Sequence, residues 1–436
     1  MPQLFGTDGV RGVAGVDLTA ELARRLGRAA GRALGARTAF LARDTRVSGP
    51  ELERACAMGL ADAGVDVMCA GILPSPAVSV LVRRQGYDLG VVVSASHNPP
   101  QDNGIKFYDR QGQKLSSEEE GAVEACFHGP APIGRRGRIA PLPDAGGAYH
   151  AFLQAAVPGL SLAGMRIALD CAYGATAGIA PDLFSNLGAK LTLVGAEPDG
   201  ERINATGAAA LGPLQQVVQE EKADLGIAFD GDGDRVMCVD DHGQVVEGDR
   251  LIAAVAPLLW GWRELASPAV VLTVLANAGA ERHLLERGFR VLRVPVGDRS
   301  VSLAMRGERI ELGGEPSGHI VFGRHAPTGD GILTALLVLQ TLRRAGMSLG
   351  QLVAPVPVHP QMRDDIPVWD RDAALANPGV QRAIGEAERE LVGRGRLIVR
   401  PSGTQPVVRV FAEGPDEAAL RRAVAMVTRA LDRFRG

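Results

Sequence analysis

The sequence is poor in aromatic residues and in cysteine, and it has no phosphate loop of the Walker type. Aromatic side chains make up only 4% of the 436 residues, and they form no platform on which single-stranded nucleic acid would stack. The five cysteines are odd in number and include no Cys-x-x-Cys pair, which is typical of reduced thiols rather than of a disulfide framework. No Gly-Lys dipeptide occurs, which excludes the Walker pattern.

Charge and hydropathy exclude two further kinds of partner. The net charge is −3, so we expect no binding to nucleic acid or to an anionic membrane. Two uncharged apolar stretches, 151–165 and 265–280, each contain a proline and are shorter than a membrane span. The N-terminus carries Asp8 and no apolar signal region, so we expect a cytoplasmic protein.

The length predicts more than one hydrophobic core. Apolar patterns typical of strands and helices alternate, which predicts βαβ units in mostly parallel sheets. The alternation restarts twice, and a small α+β segment with an amphipathic C-terminal helix follows. We therefore predict four domains, at 1–148, 149–248, 249–357 and 358–436, with the proline-interrupted segment 353–359 linking the last domain.

One candidate site is a serine at the end of an apolar run. The sequence Ser94-Ala95-Ser96-His97-Asn98-Pro99 follows the predicted strand 89–93, and ligands of open α/β sheets bind beyond the carboxyl ends of strands. We expect Ser96 on a loop there, with a polar turn as the alternative. Lys106 follows Asn103-Gly104, which we predict to be a tight turn that folds the lysine back towards Ser96.

A second candidate is the sequence Asp230-Gly231-Asp232-Gly233-Asp234-Arg235. Three carboxylates on alternate residues repel each other by about 1 kcal/mol or more for each pair near a surface, and a divalent cation is the simplest compensation. An EF-hand is excluded, because its sixth and twelfth positions are Arg235 and Asp241 rather than Gly and Glu. Arg235 can reach a phosphate held at the metal. A solvated acidic turn is the alternative.

A third candidate is the sequence Gly313-Gly314-Glu315-Pro316-Ser317-Gly318-His319. Glu315 and Ser317 offer hydrogen bonds to sugar hydroxyls, and His319 could carry a proton. A histidine beside a glycine-rich turn is also compatible with a structural role. Lys106 and His319 both stay open as candidates for the general base.

A fourth candidate, near the C-terminus, is typical of an anion site. In the sequence Arg400-Pro401-Ser402-Gly403-Thr404-Gln405-Pro406, followed by Arg409, two guanidinium groups, two hydroxyls and the backbone N–H groups of a glycine turn suit a phosphate. A hairpin with surface arginines is the alternative.

These four segments, in this order, resemble the α-D-phosphohexomutase family over the whole chain. The sequences Phe5-Gly6-Thr7-Asp8-Gly9-Val10-Arg11-Gly12 and Val296-Gly297-Asp298-Arg299 narrow the resemblance to the bacterial phosphoglucosamine mutase branch. The chain departs from that branch at Pro316 (usually Gln), at Gln405 (usually Glu) and in the segment 204–210, which lacks the usual Cys-Gly-Ser-Thr stretch. None of these departures removes a residue needed for phosphoryl transfer.

The resemblance implies four domains around a central cleft, of which the first three share one α/β topology with mixed sheets. It also implies that Ser96 is a phosphoserine whose phosphate binds one Mg²⁺ together with three carboxylates, those of Asp230, Asp232 and Asp234. Cationic side chains would surround the transferring phosphoryl group: Arg11, Lys106 and Arg235. The sugar hydroxyls would be bound by Glu315 and Ser317, with His319 nearby. The non-reacting phosphate would be held by Arg400, Ser402, Gly403, Thr404 and Arg409.

The activity implied is isomerisation of glucosamine 6-phosphate to glucosamine 1-phosphate through phosphorylated Ser96 and a 1,6-bisphosphate. Glucosamine or glucose 1,6-bisphosphate would be the activator, and the product would supply UDP-N-acetylglucosamine and cell-wall synthesis. The partners expected are sugar phosphates, and a homodimer is a family expectation only. A phosphomannomutase or phosphoglucomutase is the alternative within the family. A magnesium-dependent phosphatase and a non-catalytic sugar-phosphate sensor are the alternatives from other classes.

Overall fold

The structure is a computed structural model, and it describes residues 4–6, 8–129, 135–393, 395–402 and 407–435. Contacts within the chain divide it into two compact units. One comprises residues 1–276 and 284–355, and the other comprises 277–283 and 356–436. Within the described ranges, no helix combines the length and the apolar character needed to cross a membrane.

The first block of the chain builds a six-stranded sheet with helices. Its elements are β1 (Val10–Val13), α1 (Ala20–Ala33), β2 (Thr38–Arg43), α2 (Gly49–Asp62), β3 (Asp66–Ile72), α3 (Ser75–Gln85), β4 (Leu89–Val93), β5 (Asp102–Tyr108), α4 (Ser117–Cys126), β6 (Ile139–Pro141) and α5 (Ala145–Ala156). The strand order is β1-β5-β4-β2-β3-β6. The side chain of Thr19 caps α1 by accepting the N–H of Leu22.

The second and third blocks repeat this alternation. The second comprises β7 (Arg166–Asp170), a 3₁₀ turn (Ala175–Gly178), α6 (Ala180–Asn186), β8 (Lys190–Val194), α7 (Gly212–Glu220), β9 (Leu225–Phe229), β10 (Val236–Asp240) and β11 (Val245–Val246). The third comprises α8 (Gly248–Gly261), β12 (Ala269–Thr273), α9 (Ala278–Leu285), β13 (Arg290–Val294), α10 (Asp298–Glu308), β14 (Leu312–Gly314), β15 (Ile320–Phe322), α11 (Gly331–Ala345) and α12 (Leu349–Val353). Asp330 caps α11 by accepting the N–H of Leu333.

The three sheets share one strand order, which confirms the predicted mixed α/β architecture. The shared order is β3-β2-β4-β5 in the first block, β8-β7-β9-β10 in the second and β13-β12-β14-β15 in the third. In each, the first three strands are parallel and the fourth returns antiparallel to the third. Each block therefore has a hairpin loop at the carboxyl end of a parallel strand, which is where α/β sheets bind ligands.

The predicted tight turn at Asn103–Gly104 is wrong, because both residues lie within β5. This strand pairs with β4 on one side and β1 on the other. Ile105 and Phe107 alternate along it and are buried in the core. Burial of that apolar face between two paired strands overrides the turn preference of the Asn-Gly dipeptide.

The fourth block is a small α+β fold, as predicted. It comprises β16 (Gln361–Pro367), α13 (Arg371–Ala376), α14 (Pro378–Leu391), β17 (Arg396–Pro401), β18 (Val407–Glu413), α15 (Glu417–Leu431) and a 3₁₀ turn (Asp432–Phe434). Its antiparallel sheet has the order β16-β18-β17. The predicted apolar face of α15 packs in its core through Leu420, Val427 and Leu431. Asn277 belongs to the same compact unit as the fourth block. Its side-chain amide donates to the carbonyl oxygen of His359 and accepts the N–H of His359.

The cysteines are free, in agreement with the predicted reduced thiols. Three of them are buried: Cys56, Cys171 and Cys238. Burial raises the pKa of each of these three thiols to about 12, so they stay protonated and unreactive at neutral pH.

Helices α1 and α2 pack with their backbones in direct contact. A Cβ placed on Gly59 in α2 would lie 1.9 Å from the carbonyl oxygen of Arg24 in α1, and one on Gly27 would lie 2.4 Å from that of Cys56. Backbone atoms cannot give way as a flexible side chain can, so any larger residue must push the helices apart.

We expect Gly59→Ala to lower the melting temperature by several degrees, because overpacking of this kind costs about 1–3 kcal/mol or more. Gly121→Ala is the matched control. It also lies within a helix, and its added Cβ meets nothing within 4 Å, so it should be neutral or stabilising by up to about 1 kcal/mol. Equal melting temperatures for the two variants would contradict the close packing of α1 on α2.

Candidate active site

The Ser96 loop, residues 94–101, connects β4 to β5 and holds its serine in a strained conformation. Ser96 is 1% exposed and has a φ of 52°, in the left-handed region that serine rarely adopts. Its N–H donates to Ser94 Oγ at 2.9 Å. Its Oγ donates to Asp230 Oδ2 at 2.6 Å, so the sequence-predicted serine and acidic loop are in direct contact.

The Asp loop, residues 230–235, connects β9 to β10 and buries three carboxylates in one turn. Ligand oxygens of Asp230, Asp232 and Asp234 all lie within 4.8 Å of one another, and the three residues are at most 5% exposed. Asp232 Oδ2 accepts from Ser75 Oγ at 2.5 Å and from Lys106 Nζ at 3.0 Å. The Oδ1 atoms of Asp232 and Asp234 are buried and have no hydrogen-bond partner among the described residues.

The electrostatics of the Asp loop fit a bound cation. Burial, together with the charges of Asp234 and Asp232, raises the pKa of Asp230 well above its usual range. Burial also acts to raise the pKa of Asp234, but Lys106 and His319 hold it well below that range. The buried Oδ1 atoms of Asp232 and Asp234 have no hydrogen-bond partner among the described residues, and they lie beside Asp230, whose ionisation is disfavoured. A divalent cation would coordinate these oxygens and offset the repulsion between the carboxylates.

A second group of side chains has ligand atoms close enough together to bind a metal ion. Atoms of Asp234, Asp298 and His319 also lie within 4.8 Å of one another. However, Asp298 already forms an ion pair with Lys114, and His319 Nε2 accepts the N–H of Gly329 at 3.1 Å. These contacts occupy Asp298 and one ring nitrogen of His319, whereas the Asp loop keeps two buried carboxylate oxygens without a hydrogen-bond partner among the described residues. The Asp loop is therefore the better metal site.

Lys106 is buried against the Asp loop, although it reaches that position from a strand rather than from a turn. Its Nζ lies 3.0 Å from Asp232 Oδ2 and 3.0 Å from Asp8 Oδ2. Burial acts to lower the pKa of Lys106, but Asp232 and Asp8 hold it well above its usual range. Lys114 then joins Asp8 to Asp298. This chain of alternating charges runs through all of the first three blocks.

Sequence reasoning missed the role of Lys114. A lone lysine after a turn carries no pattern of its own. Asp8 and Asp298 stood in the motifs that carried the family resemblance, but no charge pairing was assigned to them. In the structure, Lys114 forms ion pairs with both Asp8 and Asp298, and these pairs connect the first block to the third.

Two arginines flank the Ser96 loop and the Asp loop. Arg11, in β1, donates from Nη1 to Asn98 Oδ1 at 3.1 Å. Arg235 has a buried Nε without a hydrogen-bond partner in the described part of the chain, 3.9 Å from Asp234 Oδ1. Burial, reinforced by the positive charges of Arg235 and Arg11, lowers the pKa of His97 to about 4. His97 is therefore neutral at pH 7.

The third hairpin loop, residues 315–319 between β14 and β15, is tied to the strand that leaves the Asp loop. The N–H of Val236 donates to the carbonyl oxygen of Gly318 at 3.0 Å. Glu315 is 7% exposed, and its Oε1 accepts the N–H of Gly297 at 3.0 Å. His319 Nδ1 lies 3.8 Å from Asp234 Oδ2, whereas Ser317 is exposed. The structure thus brings His319 to the Asp loop.

The predicted anion site lies in the fourth block, and the structure describes part of it. Arg400 and Arg409 face each other across β17 and β18. Partial burial, together with the charge of Arg409, lowers the pKa of Arg400. The N–H of Ser402 donates to the carbonyl oxygen of Val407 at 3.0 Å and closes the hairpin. Gly403 and Thr404 lie outside the described residues. Two facing guanidinium groups would be stabilised by an anion.

Comparison with known proteins identifies the family. Phosphoglucomutase/phosphomannomutase alpha/beta/alpha domains I, II and III match residues 2–131, 149–243 and 247–358, and the C-terminal domain of that family matches residues 366–430. The chain is 44% identical to a phosphoglucosamine mutase of Desulforudis audaxviator, covering 98% of each sequence. It is also 44% identical to one of Renibacterium salmoninarum, covering 97% of this chain and 96% of that protein. The chain belongs to the phosphoglucomutase/phosphomannomutase family.

Solved structures of phosphohexomutases have the same fold. A phosphoglucomutase/phosphomannomutase family protein from Burkholderia thailandensis is 26% identical, with a TM-score of 0.82, and covers 99% of this chain and 97% of that one. The N-acetylphosphoglucosamine mutase of Aspergillus fumigatus, in complex with GlcNAc-6P and magnesium, is 17% identical, with a TM-score of 0.69 over 99% of this chain and 96% of that one. The relatives that match nearly the whole chain confirm the resemblance to bacterial phosphoglucosamine mutases, and the protein is an isomerase. The residue roles and the domain boundaries stay predictions.

The choice of metal site can be tested by thermal denaturation with and without Mg²⁺. We expect Mg²⁺ to raise the melting temperature of the wild type, since a ligand at a hundredfold excess over its Kd stabilises by about 2.7 kcal/mol. Asp230→Asn should remove this rise. The matched control Asp240→Asn removes a buried carboxylate whose hydrogen-bond donors, among the described residues, are the backbone N–H groups of His242 and Gln244, and it should retain the rise.

His319→Gln separates the two acidic groups. It should also retain the rise if the metal binds at the Asp loop. A rise that survives in Asp230→Asn and disappears in His319→Gln would instead assign the metal to the group of Asp234, Asp298 and His319.

Proposed function

We propose that this protein interconverts glucosamine 6-phosphate and glucosamine 1-phosphate through a phosphoryl group carried on Ser96. The observation that carries the proposal is the hydrogen bond from Ser96 Oγ to Asp230, made inside a buried cluster of carboxylates that is lined by cationic side chains. The names of the relatives that match nearly the whole chain support the choice of an amino sugar. The product would supply UDP-N-acetylglucosamine and cell-wall synthesis.

The Asp loop would hold one Mg²⁺ through Asp230, Asp232 and Asp234, together with an oxygen of the phosphate on Ser96. When bound, the metal would neutralise negative charge on the transferring phosphoryl group. Phosphorylated Ser96 has no hydroxyl proton at Oγ, so its present hydrogen bond to Asp230 Oδ2 is lost. The carboxylate oxygen then needs another positive partner, which is consistent with a metal-dependent resting state.

The cationic side chains would act on the phosphoryl group as it moves. Lys106 is held in its ammonium form by Asp232 and Asp8, which suits it to donate hydrogen bonds to phosphoryl oxygens rather than to accept a proton. Arg11 and Arg235 approach from β1 and from the end of the Asp loop, and each offers a guanidinium fork. Stabilisation of charge by fixed donors is the main contribution that proteins make to phosphoryl transfer.

Sugar and distal phosphate would be bound by different loops. Glu315 and Ser317 would bind sugar hydroxyls, with His319 nearby. The non-reacting phosphate would be held by Arg400, Ser402, Gly403, Thr404 and Arg409. In the proposed cycle, Ser96 phosphorylates O1, the 1,6-bisphosphate turns over, and Ser96 recovers the phosphoryl group from O6. The distal site must then accept a phosphate from either end of the sugar, so it would recognise the anion rather than the ring. Glucosamine or glucose 1,6-bisphosphate would serve as activator.

A comparison of sugar phosphates tests the proposed function. We expect kcat/KM for glucosamine 6-phosphate to exceed that for glucose 6-phosphate and mannose 6-phosphate by about tenfold or more, which corresponds to about 1.4 kcal/mol at the transition state. Each assay would contain Mg²⁺ and the matching 1,6-bisphosphate.

A higher kcat/KM for a neutral hexose phosphate would contradict the choice of sugar while leaving the chemistry in place. Pro316 would then be the first position to change, because it lies between Glu315 and Ser317 and its carbonyl oxygen accepts the N–H of Gly248 at the start of α8. Pro316→Gln, which restores the residue usual in the family branch, is the variant to compare.

A further inference from the structure

The side chain of Asn204 joins the Ser96 loop to the Asp loop. Its Nδ2 donates to the carbonyl oxygens of Ser96 at 2.8 Å and of Asn98 at 3.1 Å. Its Oδ1 accepts the N–H of Gly231 at 2.8 Å. One amide therefore uses both of its N–H donors on the loop of the first block and its oxygen on the loop of the second.

The backbone on both sides is adapted to this contact. Asn204 has a φ of 64°, in the left-handed region that asparagine tolerates better than most residues. Its N–H is anchored to the carbonyl oxygen of Ala172 at 2.9 Å. A Cβ on Gly231 would lie 2.9 Å from Asn204 Nδ2, so a glycine there permits the close approach of the amide.

Arg46 holds the same two carbonyl groups, but from within the first block. Its side chain is fully buried. Its Nη2 donates to the carbonyl oxygens of Ser96 at 3.0 Å and of Asn98 at 2.8 Å, and its Nε donates to Asp44 at 2.9 Å. Arg46 thus fixes the shape of the Ser96 loop, whereas Asn204 fixes its position relative to the carboxylates of the second block.

We propose that Asn204 is a positioning residue that sets the location of Ser96 relative to the Asp loop for phosphoryl transfer. The inference rests on the proposed function, because it concerns the transfer to and from Ser96. Transfer rates depend steeply on the alignment of reacting groups, and a misplacement of about 1 Å can cost roughly a hundredfold. Asn204 forms no described hydrogen bond with the third hairpin loop, residues 315–319, so its loss should lower kcat more than it raises KM.

Two variants isolate the amide. Asn204→Gly keeps the left-handed backbone accessible but removes all three hydrogen bonds. Asn204→Asp keeps the oxygen that accepts from Gly231 and replaces the N–H donors by an oxygen that faces two carbonyl groups. Thr206→Val is the matched control. It lies in the same segment and loses one hydrogen bond, from Thr206 Oγ1 to Asp170 at 2.8 Å, which stays inside the second block.

The test measures kcat, KM and melting temperature for the wild type and the three variants, with the hexose phosphate that the wild type isomerises fastest. We expect kcat to fall about tenfold or more in both Asn204 variants, while KM stays within about twofold. Thr206→Val should keep kcat within about twofold of the wild type, even where its melting temperature falls as far as in Asn204→Gly.

The contrary outcomes are distinct. Asn204 variants with wild-type kcat would overturn the positioning role and leave the proposed function standing. An equal loss of kcat in Thr206→Val would assign the effect to the stability of the segment rather than to the bridge, and would also overturn it. A wild type that isomerises no hexose phosphate would contradict the proposed function itself, and the positioning role with it.

Discussion

Three carboxylates buried in one turn impose the charge balance on which the rest of the site depends. Asp230, Asp232 and Asp234 repel each other where little water screens them, and the positive groups around them only partly compensate. Lys106 reaches Asp232, yet two carboxylate oxygens stay without partners among the described residues. The negative charge that is left over suits this site to a cation. In the proposed function, the same charge would make the phosphoryl group on Ser96 dependent on that cation.

The repeated sheet topology makes this arrangement possible. In each of the first three blocks, a parallel strand leads into a hairpin loop before an antiparallel return strand. The first loop carries Ser96, the second carries the carboxylates and the third carries Glu315 and His319. Paired charges and backbone contacts join the blocks that carry these loops, most clearly through Lys114, which pairs with Asp8 and with Asp298. The same strand order, present in three blocks, thus places three loops with different side chains at corresponding positions.

The sequence predicted those features that depend on local pattern. Ser96 and the Asp loop follow apolar runs, so the sequence predicts their position at the ends of strands, as observed after β4 and β9. The strand through Asn103 could not be predicted in this way, because its turn-like dipeptide is overridden by pairing with two neighbours. The sequence did not predict the roles of Asn204 and Lys114, because each residue has partners that lie more than 100 residues away in the chain.

A single-turnover experiment shows whether Ser96 passes its phosphoryl group to the sugar. Protein labelled with ³²P on Ser96 is mixed with glucosamine 6-phosphate and Mg²⁺ and quenched at short times, with Ser96→Ala as the variant that should take up no label. The account predicts that label leaves the protein at least as fast as kcat and appears first in the sugar bisphosphate. Release of the label as inorganic phosphate at a rate independent of the sugar, or turnover while the label stays on the protein, would contradict it.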